Sequence, residues 1–341
     1  MSTSTTTSIL LGRPGAVVAE GADAGVAAHY GDPMREQRLL EEGLACADLS
    51  HRGVVTVTGP DRLSWLHSMT TQQLTGLAPR DSRETLVLSP KGHVEHALHL
   101  VDDGETTWVT VEPGTAPALV AWLESMRFML RVEVADVTGD WAVLGEPVAA
   151  ESLEGEPLAW VDPWPTLVGE TAAYGPVEGH PGERRAWREL VVARGSLDDA
   201  VGDRPLAGVW AVEALRVAAW RPRLGFETDH RTIPHEVDWL RTSVHLHKGC
   251  YRGQETIARV HNLGRPPRRL VFLHLDGSGH VLPDAGAAVL LDGREVGRLT
   301  TVARHHEDGP VALAVVKRSV PVDADLLVDG VAAAQTVVVS A

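Results

Sequence analysis

Cysteine is scarce: the 341 residues contain only Cys46 and Cys250. Two thiols give no disulfide framework and no CxxC pair, and one chain cannot hold an iron–sulfur cluster through four thiolates. A reducing, cytoplasmic setting is expected, with Cys46 packing as a small hydrophobe. No stretch approaches the about 18 consecutive apolar residues of a membrane span, so a membrane protein is not expected. Met1 to Ser8 is rich in Ser and Thr and lacks the basic start and apolar run of a secretory signal. Positive charge is also short. With 31 Lys and Arg against 46 Asp and Glu, the formal net charge of -15 opposes broad contact with phosphate backbones, and direct nucleic-acid binding is not expected. There is no repeat of fixed period. The remainder, 44% apolar and 23% charged, has globular composition. Its length suggests about two or three domains.

Turn and strand signals organise the chain. Val54 to Thr58 has the β-branched content of a strand, Gly59-Pro60 stops it, and Asp61 is placed to cap a helix from Leu63 to Thr70. Thr85 to Leu88, Val94 to Val101 and Thr107 to Val111 read as an antiparallel meander. A helical stripe runs from Ala116 to Met129, followed by a strand over Arg131 to Val134. Pro and Gly crowd 146–182, which reads as connecting structure. Trp187 to Val192 reads as a strand and Gly208 to Trp220 as a helix. Beyond Arg269, short strands at close spacing (Leu270 to Leu275, Ala288 to Leu291, Glu295 to Val302, Ala312 to Val316) read as a small β-barrel. Helices and strands mix without strict βαβ alternation, which favours an α+β class.

Reactive residues concentrate between Thr232 and Glu255. His235, His245, His247, Lys248 and Cys250 all fall there. Gly253 to Val260 can begin a helix, which puts Cys250 just before a helix N-terminus, where the macrodipole, Lys248 and Arg252 would favour a thiolate. Other readings stand beside this one. Cys250 can be a buried small hydrophobe. His245 and His247, two apart on an extended segment, would point to one side and offer three zinc ligands with Cys250. A Cys–His nucleophilic pair is a third reading, with His261 as a further base. Glu255 and Arg259, four apart, read as a helix-surface ion pair. The basic run Arg265-Pro266-Pro267-Arg268-Arg269 fits a solvated linker or a clamp for an acidic ligand tail.

Lys248-Gly249-Cys250-Tyr251-Arg252-Gly253-Gln254-Glu255, followed by Arg259, resembles the K-G-C-Y-x-G-Q-E-x-x-x-R signature of the YgfZ family, folate-binding proteins related to the glycine-cleavage T-protein (aminomethyltransferase). Val57-Thr58-Gly59-Pro60-Asp61 with Leu66 and Thr70 resembles that family's opening strand–turn–helix, Ser89-Pro90-Lys91-Gly92 its second hairpin, and the strands around Gly297 its C-terminal barrel. The likeness spans about residues 28 to 335. It implies a T-protein-like folate-binding fold: a loose tail over 1–27, α+β lobes over 28–145 and 146–268, and an antiparallel β-barrel over 269–341, arranged as a ring around tetrahydrofolate. It also implies a role in maintaining iron–sulfur client enzymes, with assembly proteins as further partners, and through one client in tRNA modification.

Carried over by residue, the resemblance implies Cys250 as the functional thiol, and Glu227, Lys248, Tyr251, Gln254 and Arg259 as the folate site. Glu227, in Leu224-Gly225-Phe226-Glu227, resembles the glutamate of the T-protein's Y-G-x-E. A carboxylate can accept paired N–H bonds from a pterin. Three positions depart from the T-protein. Glu95-His96 stands for its aspartate pair, Ala218 for the glutamate of R-x-E-A-G, and Leu224 for the tyrosine. The alternative to an accessory role is a folate-dependent one-carbon transferase using Glu95 or His96 as an altered base.

Overall fold

The computed structural model describes residues 7–279 and 281–340. Two compact units emerge, one built from residues to Val87, His96–Pro163 and Ala186–Val212, the other from Leu88–Glu95, Trp164–Arg185 and Glu213 onward. No described helix is long and apolar enough to cross a membrane.

The first unit holds two five-stranded sheets. One has the order Ser82–Leu88, Val94–Asp102, Thr106–Val111, Gly53–Thr58, Glu133–Asp136. The β-branched run Val54–Val57 lies in an inner strand, between Thr106–Val111 and the edge strand Glu133–Asp136, and is buried on both faces. Helices Arg62–Met69 and Ala116–Ser125 bury Trp65, Leu66, Leu119 and Leu123 against Val55, Val57, Leu98 and Leu100. The second sheet has the order Leu158–Val161, Arg188–Ala193, Trp141–Glu146, Cys46–Asp48, Leu206–Ala207. Its core takes in Leu144, Leu190 and Cys46, whose thiol burial pushes up to about 11.

The second unit contains a closed antiparallel barrel in the order Arg268–Leu275, Gly309–Lys317, Arg294–His305, Ala288–Leu291, Asp325–Val328, Val331–Val337. Alternate residues fill it, among them Val271, Leu273, Leu275, Ala312, Ala314 and Val316. The last two strands close through Asp329-Gly330, both at positive φ, a turn whose twist matches that of the flanking strands.

Several expectations change. Asp61 occupies the cap position of its helix but makes no cap bond; its carboxylate accepts from the backbone N, Nε and Nη2 of Arg131, a three-point contact that outcompetes a single amide. The helix begun at Ala116 ends at Ser125, and the next strand starts at Glu133. The Pro/Gly-rich 146–182 stretch contains the strand Leu158–Val161. The compact units do not divide at 146 and 269, because hydrogen bonds from barrel residues Arg268, Thr300 and Thr301 tie the preceding segment to the barrel. The tail expected over 1–27 is ordered from Ile9. Short 3-10 turns cover Ile9–Gly12 and Gly21–Asp23, Val17–Val18 pairs with Ala27–His29, and Leu10 is fully buried in the second sheet's core; Met1 to Thr6 lie outside the described residues.

Leu10 therefore tests whether this segment belongs to the fold. Leu10→Ala is expected to cost about 2–5 kcal/mol in urea unfolding, as for a buried leucine elsewhere. A loose segment would change stability by less than about 0.5 kcal/mol.

Candidate functional site

The signature segment is fastened to the hairpin tip Ser89–Gly92 by backbone contact. Gly253, at φ +83°, caps the helix Gln254–Leu263. A Cβ on Gly253 would stand 2.6 Å from Ser89 O and 3.0 Å from Gly92 Cα, and a Cβ on Gly92, itself at φ +77°, would stand 2.8 Å from Thr256 Cβ. Only glycine permits both the turn and the approach. Two further links join the same elements: Val94 N donates to Thr232 O at 2.9 Å, and Arg252 Nη1 donates to Glu95 Oε2 at 3.0 Å.

On this base Cys250 is an exposed free thiol, whereas the nearby Lys248 and Tyr251 are buried. The Lys248 amine lies 5.3 Å from the Tyr251 ring centroid, and burial pushes it down to about 7. Gln254 Nε2 donates to Lys248 O at 3.4 Å, across the turn. The surroundings of Cys250 differ from those expected from sequence. Cys250 precedes the cap by three residues, beyond the first helical turn where the macrodipole acts. Arg252 gives its charge to Glu95, and burial disfavours the charge on Lys248.

Glu227 lies apart from the thiol loop in its bonding. Its Oε2 accepts from Arg216 Nη1 at 2.8 Å and from the Arg223 backbone N at 2.9 Å. Its Oε1 accepts from Thr301 Oγ1 at 2.5 Å and lies 2.9 Å from Thr300 Oγ1. Consecutive strand residues normally face opposite ways, but a register shift between Leu299 and Thr301 turns both threonines toward one carboxylate. Arg216, also buried, donates from Nε and Nη2 to Glu213. Arg223 pairs with Glu213 at 3.3 Å and lies 4.2 Å from the Phe226 ring centroid. Glu213 was not a candidate from sequence; the three-residue spacing to Arg216 was the available signal.

Other candidates separate. His247 N donates to His245 Nδ1, so this stretch is a turn, and the two rings form no metal-ligating trio with Cys250 among the described residues. His261 is exposed, with Nδ1 3.5 Å from Tyr174 Oη. Glu255 and Arg259 are both exposed on the helix and form no ion pair among the described residues, which leaves the Arg259 guanidinium open to a ligand. The basic run is no free clamp. Arg268 pairs with Asp229 and Glu236, holding the Asp229 carboxyl well below the usual carboxylate range, and Arg269 is buried in the barrel.

Barrel, meander and signature segment together make the fold of the glycine-cleavage aminomethyltransferases. The aminomethyltransferase T of the glycine cleavage system from Bartonella henselae superposes with a TM-score of 0.76 at 19% identity, over 96% of this chain and 94% of that one. Residues 12–147 match the GCVT N-terminal domain family. The chain is 29% identical to an aminomethyltransferase of Synechococcus sp. over 310 residues, 83% of this chain and 82% of that protein. It is 26% identical over 305 residues to a chloroplastic protein of Arabidopsis thaliana, covering 82% of this chain and 66% of that protein's length. It is 23% identical over 250 residues to the mitochondrial iron–sulfur cluster assembly factor IBA57 homolog of Mycosarcoma maydis, 67% of this chain and 56% of that protein.

The buried Lys248 gives the site a pH signature. Below about pH 7 the folded and unfolded states both hold its proton, and the burial penalty is fully present; between there and 10.5 the unfolded chain holds a proton the fold has lost, so stability rises with pH. Lys248→Met is expected to be more stable than the parent at pH 6 by on the order of 2–4 kcal/mol, with the gap closing toward pH 10 in urea unfolding curves. A gap that stays constant with pH would contradict a depressed Lys248.

Proposed function

We propose that this chain is a tetrahydrofolate-binding accessory protein of the YgfZ type, acting in iron–sulfur cluster assembly or repair on client enzymes, tRNA-modifying ones among them, with Cys250 as its reactive thiol. The observation that carries the reading is an exposed Cys250 on a loop fixed by the Gly92–Gly253 contact, with Lys248 and Tyr251 buried around it. Similarity to a protein named as an iron–sulfur cluster assembly factor supports it. Cys46 is buried, so one chain offers a cluster a single accessible thiol, and the cluster belongs on the client as cargo. Two free thiols suit a reducing compartment, and we place the protein in the cytoplasm on that ground.

Tetrahydrofolate fits the available donors in part. Arg259 can take a carboxylate of the glutamate tail, and Gln254 can offer its amide. Lys248 and Tyr251 serve beneath them as a packed base for the loop. Glu227 reaches a pterin only by giving up one of its present bonds.

A folate-dependent one-carbon transferase is the second reading, favoured by the similarity to aminomethyltransferases and by His96. Burial lowers the pKa of that imidazole, and its Nδ1 has no hydrogen-bond partner, as a neutral base requires. Glu95 suits the role less, being held by Arg252.

Calorimetric titration with tetrahydrofolate is expected to show binding to the parent and roughly tenfold weaker binding to Arg259→Ala, the loss of one charge-assisted contact. An absence of heat from the parent would remove the folate assignment. Cys250→Ser is expected to fail in restoring iron–sulfur enzyme activity to a deletion strain, and full restoration would end the thiol role. Turnover of methylene-tetrahydrofolate with an amine acceptor would select the transferase instead.

A further inference from the structure

The barrel carries a cleft that the folate reading does not use. Its volume is about 420 Å³, and Leu291, Asp292, Arg294, Val296, Ser319 and Val320 line it. Cavities of this size take small molecules. Four of the six residues come from the hairpin that joins the strands Ala288–Leu291 and Arg294–His305. Its turn is Asp292-Gly293, both at positive φ, and Leu291 stands opposite Arg294 in the register. The ladder then passes from the pair Leu290–Glu295 to the pair Val289–Gly297, which leaves Val296 as the extra residue of a bulge. Ser319 and Val320 belong to the turn after the strand Gly309–Lys317, where Val320 N donates to Lys317 O at 3.1 Å.

Floor and rim differ in chemistry. Val320 is part of the barrel core, and Leu291 and Val296 pack against that core half-buried. Asp292, Arg294 and Ser319 are exposed. Elsewhere in this unit accessible charges find each other, as Arg252 finds Glu95 and Arg268 finds Asp229. Asp292 and Arg294 line one cleft and yet do not meet; among the described residues neither side chain forms an ion pair or a hydrogen bond. The lining thus has no net formal charge but offers one carboxylate and one guanidinium above an aliphatic floor. A simple anion or cation gains from one of these groups and is repelled by the other. A neutral apolar body would cover both from water and pair neither. A molecule with a cation and an anion one carbon apart, and an aliphatic body, satisfies all three features.

We infer that this cleft binds a free aliphatic α-amino acid of the leucine or valine type. Its ammonium donates to the Asp292 carboxylate, its carboxylate accepts from the Arg294 guanidinium, and its side chain lies on Leu291, Val296 and Val320. The Ser319 hydroxyl is a further donor for the carboxylate. The site is independent of the folate assignment and survives its failure.

The test titrates the nitrogen-labelled full chain with L-leucine, leucinamide, N-acetyl-leucine and glycine and follows the backbone amide resonances. L-leucine is expected to shift the amides of Asp292, Gly293, Arg294, Ser319 and Val320 with a Kd on the order of 1 mM. Leucinamide lacks the anion and N-acetyl-leucine lacks the cation, and each is expected to bind about tenfold more weakly; glycine, without the aliphatic body, loses at least about as much. Asp292→Asn is expected to weaken L-leucine about tenfold and leave N-acetyl-leucine unchanged, and Arg294→Gln to weaken L-leucine and leave leucinamide unchanged. Both positions are exposed, and asparagine tolerates the left-handed turn geometry as aspartate does. Cleft amides that stay fixed at about 50 mM L-leucine, or shifts confined to another part of the chain, would overturn the site. Leucinamide or N-acetyl-leucine binding as tightly as L-leucine would overturn the zwitterion, and so would variants that bind L-leucine like the parent.

Discussion

A carboxylate with no solvent contact dictates much of the second unit. Glu227 lost its water on folding, and protein donors must replace that water. The donors come from three places in the chain: Arg216 at the end of one helix, the Arg223 amide four residues back, and Thr300 with Thr301 in a barrel strand. Each place is constrained in turn. Arg216 is buried as well and needs Glu213 to complete its own shell, while the barrel strand must carry an irregularity so that consecutive threonines face one target. Taking away one partner would leave another charge buried and unpaired, a loss of about 3–5 kcal/mol, so the network behaves as one unit. This is why residues from Glu213 onward belong with the barrel.

The thiol loop is held by a different kind of force. Gly92 and Gly253 meet at distances that exclude any side chain, and both backbones take left-handed φ values. Gly253 thereby fixes where the helix Gln254–Leu263 begins, and the residues before it must turn within a few positions. Tyr251 and Lys248 fold inward, ring against amine, and Cys250 is left outside. The exposure of the thiol is the complement of that inward packing.

Sequence reading captured what local pattern governs. The β-branched run Val54–Thr58 and the strand Ala288–Leu291 were legible because a short β-branched or apolar run and a flanking turn agree there. Val331–Val337 was not, since its three consecutive alanines carry no alternation, although Asp329-Gly330 marks its turn as plainly as Asp292-Gly293 marks another. Leu158–Val161 was hidden by prolines and glycines on either side. In the site, the letters of the signature were legible and its electrostatics were not. Nothing in the spacing of Lys248, Cys250 and Arg252 shows that the lysine is buried, or that Glu95, 157 residues earlier in the chain, captures the arginine. The same limit applies to Glu227, whose threonine partners lie 73 and 74 residues away.

Between the hairpin tip and the signature segment there are thus a polar link and a steric one, and magnitude decides which matters. Arg252 and Glu95 are 30% and 37% exposed, so their pair is screened by salt and contributes about 0–1 kcal/mol. The glycine contact is insensitive to salt. Replacing Gly253 by any other residue brings a Cβ within 2.6 Å of a carbonyl oxygen at a backbone angle that side chains avoid, and the neighbour is main chain, which cannot rotate away. The loop's position is consequently set by shape rather than by the charges around Cys250.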